Sequence, residues 1–142
     1  MKNSIKIAAM LGALLPGLAI AGDSPAPKDA RVYIIWPKDG ATIPGGKMWV
    51  RFGLQDMGVA PAGVEKQFTG HHHLIIDADL PPFDTEIPAD RNHVHYGKGF
   101  SEARVELPPG KHTLQLLFAD HNHVPHNPPV FSEKITIIIP EQ

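Results

Sequence analysis

Short stretches in which apolar and polar residues alternate recur along the chain, and frequent glycine and proline residues separate them. In 47–52, for example, Met48, Val50 and Phe52 would lie on one face of an extended strand. This period of two, together with β-branched and aromatic residues, predicts strands at 31–36, 47–52, 72–77, 103–107, 112–120 and 134–139. The longest stretch free of glycine and proline is 111–124, so no long helix is expected.

Six or seven short strands with regularly spaced turns predict an all-β fold. We expect an immunoglobulin-like β-sandwich of about seven short strands, with a small β-barrel as the alternative. Trp36, Trp49 and Tyr96 are expected to pack against this framework. Two connections, 55–70 and 78–102, are unusually long, and long loops in small domains often carry function. The second is long enough to hold a short strand around 94–96.

The N-terminal residues have the three-part pattern of a secretory signal peptide. Lys2 and Lys6 precede an apolar stretch from 7 to 20, and Ala19 and Ala21 give the small-x-small pattern of a cleavage site. We predict a signal peptide at 1–21 cleaved after Ala21, a short tether at 22–30 and a single β-sandwich domain at 31–140. The apolar stretch is short for a membrane span, so a periplasmic protein without stable membrane insertion is expected.

Composition excludes several classes of protein. The chain contains no cysteine, so disulfides, iron–sulfur clusters, c-type haem and blue-copper centres are excluded. No basic patch is present, which argues against a nucleic-acid partner. Neither a His-Glu-x-x-His motif nor a Gly-x-Ser-x-Gly motif occurs, which removes zincins and nucleophile-elbow hydrolases. Catalytic activity therefore stays uncertain, and the balance leans against an enzyme.

The histidines are the one unusual feature of the composition. All nine lie between positions 71 and 126, and His-x-His spacing occurs three times. On a strand, side chains at i and i+2 share a face, so two imidazoles can converge on one metal ion. A sulfur-free nitrogen site suits copper(II) best and zinc less well. The candidate metal ligands are His71, His73, His93, His95, His121, His123 and His126.

Topology offers a reason for distant histidines to meet. In an immunoglobulin-like fold the third and sixth strands are antiparallel neighbours, so the start of 71–77 would lie beside the end of 112–120. Within the third strand, His72 is expected to face the core, whereas His71 and His73 face the site. Asp77, Asp79 and Asp120 are candidate ligands or partners that orient a ring.

Three further side chains are of a type that can bind a metal ion, but their positions in the sequence make them weaker candidates. His112, beside a Pro-Pro-Gly turn, is expected to be an ordinary surface residue. Met48 is expected in the core because it alternates with Val50 and Phe52, and Met57 is a weak thioether candidate in a loop.

At these same residues the sequence resembles the family of exported bacterial domains of unknown function 4399. The segments that carry the resemblance are 37–41, 52–53, 57–63, 70–77, 93–97, 107–117 and 120–130, which include all three histidine groups. The resemblance spans roughly 32–139. It implies an exported β-rich domain in which these histidine motifs recur, and it implies no activity.

The leading hypothesis is a periplasmic metal-binding protein that sequesters or delivers copper, in preference to zinc, through histidines at one end of the sandwich. Two alternatives stay open. One is a non-metal binding module for a peptide, a glycan or another exported protein. The other is a structural accessory domain whose histidines only satisfy loops.

Overall fold

The computed structural model describes residues 22–141, which form nine β-strands and one short 3₁₀ turn, Pro44–Gly46. All six strands predicted from the alternation are present, and the short strand expected around 94–96 is found at His93–Tyr96. Two short or proline-rich strands, Gly58–Val59 and Pro125–Phe131, were not predicted. The strands are β1 (Arg31–Trp36), β2 (Lys47–Gln55), β3 (Gly58–Val59), β4 (Thr69–Ile76), β5 (His93–Tyr96), β6 (Glu102–Glu106), β7 (Gly110–Ala119), β8 (Pro125–Phe131) and β9 (Ile135–Ile139).

The strands form two sheets that pack face to face. One sheet has the order β1-β2-β6; the other has the order β3-β4-β7-β8, with β5 paired to β4 and β9 paired to β7. Strands β1, β2 and β6 correspond to A, B and E of an immunoglobulin-like sandwich, and β4 and β7 correspond to its neighbouring strands C and F. The predicted β-sandwich is therefore confirmed, and within residues 22–141 the sheets do not close into the alternative barrel.

The core lies between the sheets and follows the predicted alternation. Met48, Val50 and Phe52 of β2 are buried against the inward side chains of β4 and β7, so Met48 is a core residue as expected. Tyr96 also packs against this cluster. Trp36 and Trp49 are 43% and 53% exposed and therefore lie outside the core. Trp49 is adjacent in sequence to buried Met48 and Val50, and the same alternation that buries these two turns Trp49 outward.

A second, smaller cluster covers the outer face of the larger sheet. Ile75 of β4 and Leu117 of β7 are buried there against Ile87, which belongs to the long connection between β4 and β5. Because strand side chains alternate between faces, the outer face of β4 also carries His71 and His73. The long connection therefore shields from water the face of the sheet that holds these histidines.

The segment predicted to be a short tether lies along β8. Pro25 forms a parallel bridge with Asn127, and the Asn127 backbone exchanges hydrogen bonds with Ser24 and Ala26. The predicted signal peptide, 1–21, lies outside the described residues. No helix within 22–141 has the length and apolar character needed to cross a membrane.

Candidate metal centre

Strand β4 divides its three consecutive histidines between two environments. His72 points between the sheets, where its ring centroid lies 4.9 Å from that of Phe52 and 5.0 Å from that of Phe118. His71 and His73 point to the outer face, and their ring centroids are 4.9 Å apart. The predicted division of faces, with His72 toward the core, is observed. Only His71 and His73 are therefore placed to act together at a site.

Strand β5 brings a third ring to this pair. It runs antiparallel to β4 with His95 directly opposite His73, and the two rings stack at 5.1 Å with an interplanar angle of 30°. Gly97 lies two residues further along the chain, and a Cβ atom there would collide with the His95 ring. The missing side chain at Gly97 therefore leaves room for the position that His95 occupies.

The turn between β7 and β8 brings the fourth ring. Since His71 of β4 pairs with Ala119 of β7, the turn that follows Ala119 lies at the same end of the sheet. His123 sits in this turn with a φ of 65°, a left-handed conformation that is uncommon for residues other than glycine. Its carbonyl oxygen accepts a hydrogen bond from the backbone N–H of Ile87 in the long connection.

Asp120 organises the turn that carries His123. Its Oδ1 atom accepts hydrogen bonds from the backbone N–H groups of Asn122 and Val124 at 2.9 and 3.0 Å. Its Oδ2 atom accepts a bond from the Ser24 hydroxyl at 2.6 Å. Burial of the Asp120 carboxyl acts to raise its pKa, but these hydrogen bonds outweigh burial and hold the pKa below its usual value. Asp120 is thus a charged support for the turn, fixed by both the N-terminal segment and the backbone.

The four rings form one compact cluster, which we call the histidine cluster: His71, His73, His95 and His123. The centroid distances between its members range from 4.6 Å, between His95 and His123, to 6.0 Å, between His73 and His123. Three of them, His71, His95 and His123, each offer a ring nitrogen within 4.8 Å of the other two. Three separate elements of the fold supply these nitrogens, so the grouping depends on the folded structure.

Desolvation favours the neutral form of three members of the cluster, His71, His73 and His95. His71 and His73 are almost completely buried. Among residues 22–141, no group forms a hydrogen bond with either ring nitrogen of His71 or with the Nδ1 atom of His73. Desolvation, followed by repulsion from the neighbouring imidazoles, lowers the pKa of His71 to about 4 and that of His73 to about 2. The pKa of His95 is lowered for the same two reasons. At neutral pH these rings therefore keep free lone pairs, which is the state that a metal ion requires.

The spacing of the three nitrogens can be compared with that of a metal site. Nitrogen–metal bonds of 2.0–2.1 Å in a tetrahedral site place the ligand nitrogens about 3.3 Å apart. The nitrogens of His71, His95 and His123 lie within 4.8 Å of one another, so they would have to draw together by at most about 1.5 Å. Ring rotations and small movements of the turn are sufficient for such a change, because His95 is exposed and His123 is only half-buried.

The structure places the other three predicted ligands outside the cluster. His93 donates a hydrogen bond from Nδ1 to Asp90, and His121 contacts the Asn122 amide. His126 is buried, stacks on Phe118 and donates a bond from Nε2 to the Thr69 carbonyl. His93 shares a strand face with His95 but lies opposite Ile75, two residues further along β4 than His73.

The remaining candidates have structural partners. The expectation that His112 is a plain surface residue is wrong: it is buried, its Nδ1 lies 2.6 Å from Asp77 Oδ2, and its Nε2 donates to the Pro108 carbonyl. The Pro-Pro-Gly turn folds back over this ring, which explains the burial. Asp79 accepts a hydrogen bond from the Lys134 ammonium group, and Met57 packs against the core. None of these side chains belongs to the histidine cluster.

Sequence reasoning did not single out Ser24 or Gly97, although both shape the cluster. Gly97 carried a usable signal, because a residue two positions after His95 would share its face if the strand continued; in the structure Gly97 lies one residue past the end of β5. Ser24 carried none, since it acts through a contact with a residue 96 positions away.

Comparison with known proteins identifies the family. A family model described as a domain of unknown function, DUF4399, matches residues 50–140, a range that contains the whole histidine cluster. No curated protein matches the chain. The resemblance seen in the sequence motifs is confirmed over this range, and the match covers more than half of the chain. The chain therefore belongs to the DUF4399 family of domains of unknown function.

Proposed function

We propose that this protein binds one copper(II) ion, or with lower affinity one zinc(II) ion, through His71, His95 and His123. The observation that supports the proposal most strongly is the convergence of nitrogens from three elements in a place where His71 has no hydrogen-bond partner for either ring nitrogen. Buried polar atoms in folded proteins are nearly always paired. A metal ion would supply the partner that the protein itself does not provide.

The donor set favours copper over zinc. Imidazole nitrogens bind both ions, but the affinity of a given nitrogen site for divalent first-row metals is highest for copper(II). The chain has no cysteine to offer a soft ligand, and Met57 packs against the core. Copper(I), which prefers sulfur ligands, is accordingly the less suitable oxidation state.

Sequestration or delivery is the role that we propose for this site. His71 is buried, whereas His95 is exposed and His123 is half-buried, so the ion would enter and leave between His95 and His123. We propose that this exchange takes place in the periplasm, because the sequence predicts a signal peptide at 1–21. Membrane fractionation and N-terminal sequencing of the expressed chain test this location: a periplasmic product that begins at Gly22 is expected, and a cytoplasmic product that retains Met1 would contradict it.

Metal titration of the chelator-stripped protein tests the site. The full-length chain is expressed without a histidine tag so that its own export signal is used, and copper(II) and zinc(II) binding are followed by calorimetry. One copper ion per chain with a Kd of about 1 μM or tighter is expected, equivalent to about −8 kcal/mol. His95→Ala and His123→Ala should each weaken binding by at least about tenfold, a loss of about 1.4 kcal/mol.

Two matched controls separate a built site from adsorption to a histidine-rich surface. His93→Ala and His121→Ala remove partly exposed histidines outside the cluster, and both should retain wild-type affinity. If all four alanine variants bind copper like the wild type, or if each loses the same small share of a weak signal, the proposed site is wrong.

A further inference from the structure

Within residues 22–141 the histidine cluster provides three nitrogens that can reach a common centre, and no fourth histidine, aspartate or glutamate atom joins them. His73 is the nearest candidate, but its ring centroid lies 6.0 Å from that of His123, and its nitrogens do not join the group formed by the other three. Its ring is stacked on His95 instead. The two ring planes are inclined by only 30° at a centroid distance of 5.1 Å, so an ion at bonding distance in the plane of His95 lies off the plane of His73.

Carboxylates do not fill the fourth position either. Among the described residues, no aspartate or glutamate belongs to the group of converging ligand atoms. Asp120 is close enough that its charge acts to raise the pKa of His71, but its two oxygens already accept three hydrogen bonds from Ser24, Asn122 and Val124. To bind the ion, Asp120 would have to break the hydrogen bonds that hold the turn carrying His123.

Charge makes the fourth position attractive to an anion. Three neutral imidazoles leave the full double positive charge of the ion uncompensated, and His71 holds it in a poorly hydrated environment. A charge in such an environment is expensive unless it is paired. Sites with three protein ligands characteristically keep their last position for water or another exogenous ligand.

Resting on the proposed function, we propose that the metal ion bound by His71, His95 and His123 takes a small exogenous anion as its fourth ligand, on the exposed side between His95 and His123. His73 in this arrangement is a positioning residue. It packs against His71 and His95 and holds their rings, without itself binding the ion. The centre would then be an anion-binding site as well as a metal site.

Azide titration of the copper(II)-loaded protein in chloride-free buffer tests the fourth position. Azide bound directly to copper(II) gives a charge-transfer absorption band in the near ultraviolet and changes the electron paramagnetic resonance spectrum. We expect a saturable band with one azide per copper in the wild type. His73→Phe keeps an aromatic ring beside His95 and removes the nitrogens, so it should give the same band, with an azide Kd within about threefold of the wild-type value.

The opposite results are distinct. A band that is absent from the wild type and appears in His73→Phe would identify His73 as the fourth ligand and overturn the proposal. A band absent from both copper-loaded proteins would also overturn it. Pulsed electron paramagnetic resonance of the wild type counts coordinated imidazoles without any variant, with three expected and four contradicting the inference. Failure to take up copper at all, measured beforehand by calorimetry, would instead refute the proposed function.

Discussion

Replacing His72 with phenylalanine should reduce the sensitivity of the protein to acid. His72 is fully buried between Phe52 and Phe118, and neither of its ring nitrogens has a hydrogen-bond partner. This desolvation lowers its pKa from 6.5 to about 4. Protonation of the folded state would place a charge in the apolar core, whereas the unfolded chain accepts the proton freely. His72→Phe removes the group that creates this difference.

The sign and the size of the effect follow from proton linkage. Because the pKa of His72 is lower in the folded state than in the unfolded state, the unfolded state binds more protons between pH 6.5 and about 4. The contribution of His72 to stability is fully present above pH 6.5 and is lost as the pH falls through this window. At pH 5, about 1.5 pH units below the unfolded pKa, the loss is about 2 kcal/mol at about 1.4 kcal/mol per unit. This is a large fraction of a typical unfolding free energy of about 5–15 kcal/mol.

Urea unfolding of the metal-stripped wild type and of His72→Phe at pH 8 and pH 5 measures this loss. The fall in unfolding free energy between the two pH values should be smaller in the variant by about 2 kcal/mol. A larger ring can overpack the core, and the removal of unpaired nitrogens acts in the opposite direction. Both effects are the same at either pH, so they cancel in the comparison. Equal pH dependence of the two proteins would refute the burial of a neutral His72.

Three further changes test the supports of the histidine cluster and the buried ring of His112. Asp120→Asn should weaken copper binding about 10–100-fold, the usual effect of losing a residue that orients a ligand, while Asp84→Asn, an exposed control, should not; equal calorimetric affinities would contradict this. Gly97→Ala should displace the His95 ring and lower copper affinity with an unchanged circular dichroism spectrum; unchanged affinity would show that the ring has other room. Burial acts to lower the pKa of His112, but the hydrogen bonds to Asp77 and Pro108 outweigh it and raise the pKa. The contribution of His112 to the unfolding free energy is therefore present below pH 6.5 and lost as the pH rises above it. In urea unfolding, His112→Gln should destabilise the protein more at pH 5 than at pH 8. The reverse order would be inconsistent with the His112–Asp77 hydrogen bond.

Most of the fold was predictable because its main strands bury one face. The period-two pattern of Met48, Val50 and Phe52 specifies which face of β2 is inside, and it needs no knowledge of the partner strand. Strand β8 was not predictable in this way. It contains Pro125, Pro128 and Pro129, which remove backbone donors and usually exclude a residue run from a sheet. It is tolerated here because it pairs with β7 at only a few positions and with the N-terminal segment through Asn127.

The location of the candidate site could be predicted from the sequence, but the set of histidines that form it could not. Alternation along β4 assigned His71 and His73 to one face, and the pairing of β4 with β7 placed the next histidine group nearby. Which rings converge depends on two features that no short-range pattern encodes. One is the register that sets His95 opposite His73. The other is the turn that follows the end of β7 at Ala119, in which His123 has a left-handed backbone and does not share a strand face with His121.

His71 and His72 are neighbours with the same kind of burial, and the contrast between them links stability to metal binding. Each ring carries two unpaired nitrogens and a pKa lowered to about 4, so each destabilises the apoprotein in acid. Copper bound at His71 would offset part of the unfolding free energy lost in acid, since a ligand at 100 times its Kd stabilises the folded state by about 2.7 kcal/mol. No ion can do so at His72, which faces the closed core. Copper should therefore protect the wild type and His72→Phe equally against urea, and it should protect His123→Ala much less.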